Sequence, residues 1–175
     1  MLLEKTFLFT KNVITQRKRR KMAESNQSII ISSDHAGYVM KEYIKSELNN
    51  MGIQVKDIGA HSTEAVDYPL FAARVASAVA KGEYARGITV CGSGIGASIT
   101  ANRFKGVRAA LCLTEEMARL SRRHNNANVL VIAGRLTPQE TVSKILTVWF
   151  EQEFEGGRHE RRVKLIDEIA EKEAA

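Results

Sequence analysis

Residues 87–104 read GITVCGSGIGASITANRF, and this stretch decides the fold. The β-branched run Ile88, Thr89 and Val90 predicts a strand that ends at Cys91. Gly92, Gly94 and Gly96 predict a tight turn, and residues 95–104 a helix. A strand that turns through glycines into a helix is the repeating unit of a parallel α/β sheet. The same alternation recurs on both sides. Upstream, residues 28–33 (SIIISS) form a strand, 37–50 a helix closed by Gly52, and 53–58 a second strand. A polar loop over 59–68 leads to a helix with Pro69 in its first turn, running to about residue 81. Downstream, 107–113 is a fourth strand, Thr114 caps a helix over 114–123, and 128–133 is a fifth strand. Thr137-Pro138 opens a helix to about residue 154; Gly156-Gly157 breaks it, and a last helix starts near Arg158. The expectation is one doubly wound, five-stranded parallel sheet, Rossmann-like, with a C-terminal helix. Ligands of such sheets bind at the carboxyl ends of the strands.

The chain has 175 residues, 44% hydrophobic and 26% charged, which suits one ordinary domain with a true core. No apolar run reaches eighteen residues, so neither a membrane-spanning helix nor a membrane partner is expected. The net charge is +6, but seven Lys/Arg stand against only Glu4 and Glu24 in residues 1–24. The basic character therefore belongs to a tail, and nucleic-acid binding by the domain is not expected. Residues 1–27 read as a disordered basic extension and 28–172 as the folded domain. In the extension the apolar stretch precedes the basic cluster of residues 17–21, the reverse of a secretory signal. An upstream start ahead of Met22 is the simpler reading, with organelle targeting the alternative. Two cysteines, Cys91 and Cys112, make no disulfide framework, and a reducing, cytoplasmic setting follows.

Three groups of residues carry chemistry. At the expected tip of the third strand, Cys91 precedes Gly92-Ser93-Gly94-Ile95-Gly96. Glycines let a ligand approach the backbone, and a helix N-terminus favours a thiolate and a developing oxyanion. Such a thiol suits removal of a carbon-bound proton beside a carbonyl; alternatively Cys91 is a small apolar strand residue. Gly92-x-Gly94-x-x-Ala97 also fits a loose dinucleotide fingerprint, but on the third strand rather than the first. A phosphatase loop would need Arg where Ala97 stands. Second, Arg158 and Arg162 are four apart on one helix face and can grip a phosphate, or simply face solvent. Third, His124-Asn125 closes the fourth helix, which returns toward the amino ends of the strands. His124 is therefore expected far from Cys91 within one subunit; otherwise it is a structural histidine. Cys112 reads as core.

Together these residues resemble type B ribose-5-phosphate isomerase, a family that also holds allose-6-phosphate and galactose-6-phosphate isomerases. The resemblance rests on Asp34-His35-Ala36-Gly37, Asp67-Tyr68-Pro69, the Cys91–Gly96 run, Arg122-Arg123-His124-Asn125 with Asn128-Val129, and Gly156-Gly157-Arg158-His159 with Arg162. It spans residue 29 to about 169, with the motifs in order.

The resemblance implies an aldose–ketose isomerase converting D-ribose 5-phosphate to D-ribulose 5-phosphate through a cis-enediolate, in the non-oxidative pentose phosphate pathway. Cys91 would be the base, assisted by Ser93, where the family often has Thr. Backbone N–H groups of Gly92, Gly94 and Gly96, with Asn125, would hold the enediolate oxygens. His124, with Asp34, would open the furanose ring. Tyr68 would line the sugar pocket, and His35, Arg135, Arg158 and Arg162 would bind phosphate. Homodimers with shared sites, some paired into tetramers, are implied; no metal or organic cofactor is. Some relatives carry a Glu base in this loop, but here Ile95-Gly96-Ala97-Ser98 has no acid, and Cys91 favours the ribose enzyme. The alternatives are a six-carbon 6-phosphate isomerase and, in another class, a non-catalytic nucleotide- or phosphate-binding module.

Overall fold

The computed structural model describes residues 28–173, and the basic extension at 1–27 lies outside the described residues. Five strands form one sheet: β1 (Ser28–Ser33), β2 (Gln54–Asp57), β3 (Gly87–Cys91), β4 (Ala109–Leu111) and β5 (Val129–Ala133). All pairings are parallel, in the order β2-β1-β3-β5-β4. Six helices connect and close it: α1 (Tyr38–Asn50), α2 (Tyr68–Ala80), α3 (Ile95–Ala101), α4 (Glu115–Arg123), α5 (Gln139–Glu151) and α6 (Arg158–Glu173).

The two-residue period of a strand sorts the core into two layers. Ile29, Ile31, Ile88, Val90, Leu130 and Ile132 point to one face, against Ile44 and Leu48 of α1 and Ile145, Leu146 and Trp149 of α5. Ile30, Cys91, Val129 and Val131 point to the other, against Val75 and Val79 of α2 and Ala97 and Ala101 of α3. Both faces of the central strands are covered, which is why β5 (VLVIA) and the Ile29–Ile31 part of β1 read as unbroken apolar runs. Each fully buried Ile, Leu or Val contributes about 1.5–3 kcal/mol of burial free energy. Cys112 is buried beyond β4; burial pushes its thiol up to about 11, opposed by a hydrogen bond with Ser121. This matches the core reading.

Several elements are shorter than expected, for local reasons. The helix predicted over 95–104 ends at Ala101. There the Asn102 side chain donates to the carbonyls of Ser98 (3.1 Å) and Ala109 (2.9 Å) and accepts the Ala109 N–H (2.8 Å). That amide binds the start of β4 as a strand neighbour would, so the backbone need not continue the helix. The fourth strand is three residues long rather than seven, because it lies at the sheet edge and pairs only with β5. Thr114 caps α4 as expected, its hydroxyl accepting the Met117 N–H at 3.2 Å.

The edge at β2 is tied by a buried charge. Lys41 of α1 is fully buried, and its Nζ lies 2.6 Å from Asp57 Oδ2 and 3.1 Å from Glu42 Oε1. Burial raises the Asp57 pKa, but hydrogen bonds from Lys41, Lys45 and the Gly59 N–H outweigh it and leave the carboxyl below its ordinary value. The stability this supplies is therefore present above the unfolded carboxylate pKa of about 3.9, and is lost as pH falls through the lower folded value. Asp57→Asn leaves a buried ammonium with only the exposed Glu42 as counter-ion, and should cost about 3 kcal/mol at neutral pH. Urea unfolding at pH 7 and at pH 3 checks this: the difference between native and variant should shrink at the acid end.

Candidate active site

The strand order reverses between β1 and β3, and α1 and α2 pack on opposite faces. The tips of β1 and β3 therefore flank the crevice where such sheets bind ligands. β5 lies on the other side of β3, so its tip joins them.

Cys91 ends β3 with its side chain buried, and the Gly94 N–H donates to its Sγ at 3.2 Å. Gly94 turns the chain with φ of +75°, a conformation that favours glycine, and a Cβ there would also displace the end of the Leu111 side chain, whose Cδ1 lies 2.4 Å away. The exposed Ser93 Oγ accepts the Ile95 N–H at 3.4 Å. The Cys91 and Gly92 carbonyls accept N–H groups of Gly134 (2.8 Å) and Arg135 (3.0 Å), which ties the loop to the tip of β5. A Cβ on Gly92 would touch Ala36 Cβ at 3.4 Å and Arg135 Cδ at 3.5 Å, so the three strand tips converge there.

The β1 tip is equally fixed. Asp34 is buried; its N–H donates to Val90 O at 3.1 Å, and its Oδ1 accepts the Gly37 N–H at 2.8 Å. His35 Nδ1 meets the Val66 backbone at 3.2 Å, which fastens the ring to the loop before α2. Tyr68, at the start of α2, lies over Gly96: a Cβ on Gly96 would fall 2.5 Å from its ring and 2.8 Å from its hydroxyl. Gly96→Ala should therefore push Tyr68 out of the crevice, and steady-state kinetics should show a raised KM with kcat less affected. Tyr68→Ala should make the Gly96→Ala effect smaller, since the ring would no longer be there to displace.

Nine of the thirteen expected site residues thus gather at the carboxyl edge: Asp34, His35, Tyr68, Cys91, Gly92, Ser93, Gly94, Gly96 and Arg135. His124, Asn125, Arg158 and Arg162 do not. His124 follows α4 and precedes the start of β5, where Val129 pairs with Gly87, the first residue of β3. Cys91 pairs with Ala133 at the far end of the same ladder. Four residue steps separate the two ends, roughly 13 Å along the strand. The expectation that His124 lies away from Cys91 in one chain holds.

His124 heads a second cluster. Its ring stacks on that of His159, with centroids 4.1 Å apart and planes 2° from parallel. Both Nε2 atoms lie 3.6 Å from Glu155 Oε2, and Glu155 also pairs with Arg123. Arg158 Nε donates to His159 Nε2 at 3.4 Å, while Arg158 and Arg162 are exposed on α6. Arg122 sets the turn that presents His124 and Asn125. It is buried, donates to Ala127 O and Asn126 Oδ1, and stands over the Trp149 ring. Burial, with Arg86 and Arg108 nearby, lowers its pKa to about 10, so it stays charged at neutral pH. Glu155 and His159 were not singled out from sequence as site residues. Glu155 precedes the Gly156-Gly157 turn and His159 follows it, and their partner His124 lies 31 residues upstream of Glu155.

The comparisons with known proteins agree with this geometry. The family model described as Ribose/Galactose Isomerase matches residues 29–166. Ribose-5-phosphate isomerase B of Escherichia coli (strain K12) is 42% identical over 146 residues, covering 83% of this chain and 98% of that protein. Among solved structures, Clostridium thermocellum ribose-5-phosphate isomerase B superposes with a TM-score of 0.81 at 47% identity, over 83% of this chain and 98% of that one. Mycoplasma genitalium ribose-5-phosphate isomerase B, solved with bound ribulose-5-phosphate, gives a TM-score of 0.78 at 39% identity, over 82% and 96%. The chain belongs to the ribose/galactose isomerase family, and within it lies beside the type B ribose-5-phosphate isomerases.

Proposed function

We propose that this chain interconverts D-ribose 5-phosphate and D-ribulose 5-phosphate, with Cys91 as the base. The chain is an aldose–ketose isomerase. The observation that carries the choice of base is the buried thiol at the switch point, with the Gly94 N–H on its sulfur. In the forward direction the Cys91 thiolate takes the C2 proton of the open-chain aldose. The electron pair moves into the C1–C2 bond, and the carbonyl oxygen gains negative charge. Backbone N–H groups of the Gly92–Gly96 loop stabilise that oxygen, as donors held in place do for any oxyanion. The hydroxyl proton at O2 passes to the charged O1, the C2–O2 carbonyl forms, and the C1–C2 electron pair takes the proton back from the thiol at C1 to give the ketose. Ser93 steadies the loop, and Tyr68 covers the sugar. His35 and Arg135 take phosphate from this chain.

The remaining members come from a second copy. His124, Asn125, Arg158 and Arg162 lie together and away from Cys91, so a homodimer that sets one copy's second cluster against the other's carboxyl edge completes two sites. His124, with Asp34, then opens the furanose ring, and the two arginines close on the phosphate. Exposed apolar side chains support this pairing: Ile95 and Ile99 of α3, Met117 and Leu120 of α4, and Ile166 and Ile169 of α6. Dimers could pair again into tetramers. No helix among the described residues is long and apolar enough to cross a membrane, and both cysteines are free, which supports a cytoplasmic setting.

Turnover of ribose 5-phosphate and allose 6-phosphate, measured side by side, tests the substrate. A higher kcat/KM for ribose 5-phosphate supports the reading, and the reverse order assigns the chain to six-carbon substrates.

A further inference from the structure

The cluster formed by His124, Glu155 and His159 has the composition and spacing of a metal site. Its three ligand atoms lie within 4.8 Å of one another, and each imidazole Nε2 is 3.6 Å from Glu155 Oε2. Zinc bonds of about 2.0–2.1 Å at a tetrahedral angle place neighbouring ligand atoms about 3.3 Å apart. Both His–Glu edges thus need to close by only a few tenths of an ångström. The two imidazoles are stacked with planes 2° apart, so their in-plane lone pairs meet at one ion only when His124, about a third exposed like Glu155, rotates out of the stack while His159 is held in place by burial.

The hydrogen bonding orients the ligand atoms, and an ion on His159 Nε2 takes the place of the Arg158 Nε–H that donates there at 3.4 Å. Arg123 occupies Glu155 Oε1, so the carboxylate is oriented and Oε2 faces the two rings. The Arg158 Nε–H points at His159 Nε2, which marks that nitrogen as the unprotonated, lone-pair side of the ring. Arg123, Arg158 and Arg162 repel a cation, so the site suits an ion whose bonds to nitrogen are strong. Two imidazoles and one carboxylate favour zinc-class ions over magnesium or calcium, which prefer all-oxygen shells.

We propose that His124, Glu155 and His159 bind a zinc-class divalent ion, with a fourth position open to solvent, and that the bound ion withdraws His124 from ring opening. The metal would be inhibitory, a brake on the isomerase. Binding itself stands apart from the proposed activity; only the inhibition rests on it.

The test uses the full chain, freed of metal and kept reduced. Zinc is titrated by calorimetry, and cobalt(II) serves as a spectroscopic substitute. The expected result is one ion per chain, with tetrahedral cobalt bands and no sulfur-to-cobalt charge transfer. Glu155→Gln and His159→Asn should each weaken zinc on the order of a hundredfold. Glu155 is partly exposed, so its variant tests the site even if His159→Asn folds poorly. The second readout is the ratio of turnover with and without zinc, which should fall on the order of a hundredfold in the native chain and stay near one in Glu155→Gln. Native-like zinc affinity in Glu155→Gln, thiolate charge transfer, or zinc bound without loss of turnover would each overturn the proposal. Absence of ribose 5-phosphate turnover in the metal-free native chain would count against the isomerase reading alone, since the calorimetric result is independent of it.

Discussion

Cys91→Ala should lower ribulose 5-phosphate formation by a factor on the order of 10²–10⁴, the range a positioned base contributes. The loss should fall on kcat. Cys91 ends a strand inside the sheet, and the groups assigned to the phosphate (His35, Arg135, Arg158 and Arg162) all lie on other segments. Binding should therefore survive while proton removal fails. Cys91→Ser sharpens the point. A serine hydroxyl can keep the hydrogen bond from the Gly94 N–H but is a far weaker acid than a thiol, so it yields little base at neutral pH. If the loop merely needed a hydrogen-bond acceptor there, serine would restore turnover; with Cys91 as base, serine should be nearly as slow as alanine. Neither change should unfold the chain, because the sulfur fills little of a face built mainly by Ile30, Val129 and Val131. Circular dichroism melts of both variants check this.

The second large effect is a gain. Cys91→Ala and His124→Ala should each be nearly inactive alone, yet active when mixed. In a dimer with shared sites, a mixed pair holds one site with both defects and one with neither. Random exchange makes half the dimers mixed, so the mixture should recover about a quarter of native activity. Sites complete within one chain would recover nothing on mixing, because each chain would carry its own defect to its own site. The experiment needs subunit exchange, which brief mild denaturation and refolding of the mixture supplies. Recovery should scale with the product of the two variants' fractions, as expected for random pairing.

The strands most open to reading were those whose side chains are buried on both faces. The run at 29–31, with Ile29, Ile30 and Ile31 all buried, and the run at 129–133 have no polar alternation to confuse a strand with a loop. Legibility fell where a distant partner decides the backbone. Asn102 ends α3 by bonding Ala109, and no local pattern foretells that contact. The alternation of strand and helix announces a parallel sheet but not its order. The insertion of β5 between β3 and β4 is a property of packing rather than of pattern. Nor does alternation say that β4 will be an edge strand of three residues.

The carboxyl-edge residues were legible because their constraint is local: a strand that turns through Gly92, Gly94 and Gly96 into a helix sets Cys91 at a strand tip, where such sheets bind ligands. His124 was legible in place, since α4 must return to the amino ends of the strands, but not in company. Its stacking on His159 and its nearness to Glu155 depend on where the segment after α5 crosses α4. That crossing is fixed by the Glu155 N–H bond to Arg123 O and by its ion pair with Arg123, both long-range contacts. The turn bearing His124 is likewise set by Arg122, a buried cation with no carboxylate partner among its hydrogen bonds. An arginine in that position reads from sequence as surface charge.

The most direct test of the account follows the proton itself. Ribose 5-phosphate carrying deuterium at C2 is incubated with the metal-free protein in ordinary water, and the product is examined by NMR. If Cys91 removes that nucleus as a cation, ribulose 5-phosphate forms more slowly than from the unlabelled sugar, and some of the deuterium is lost to solvent before C1 is protonated. Failure to form ribulose 5-phosphate, or product that keeps all of its deuterium at C1 as a hydride shift would, contradicts the account.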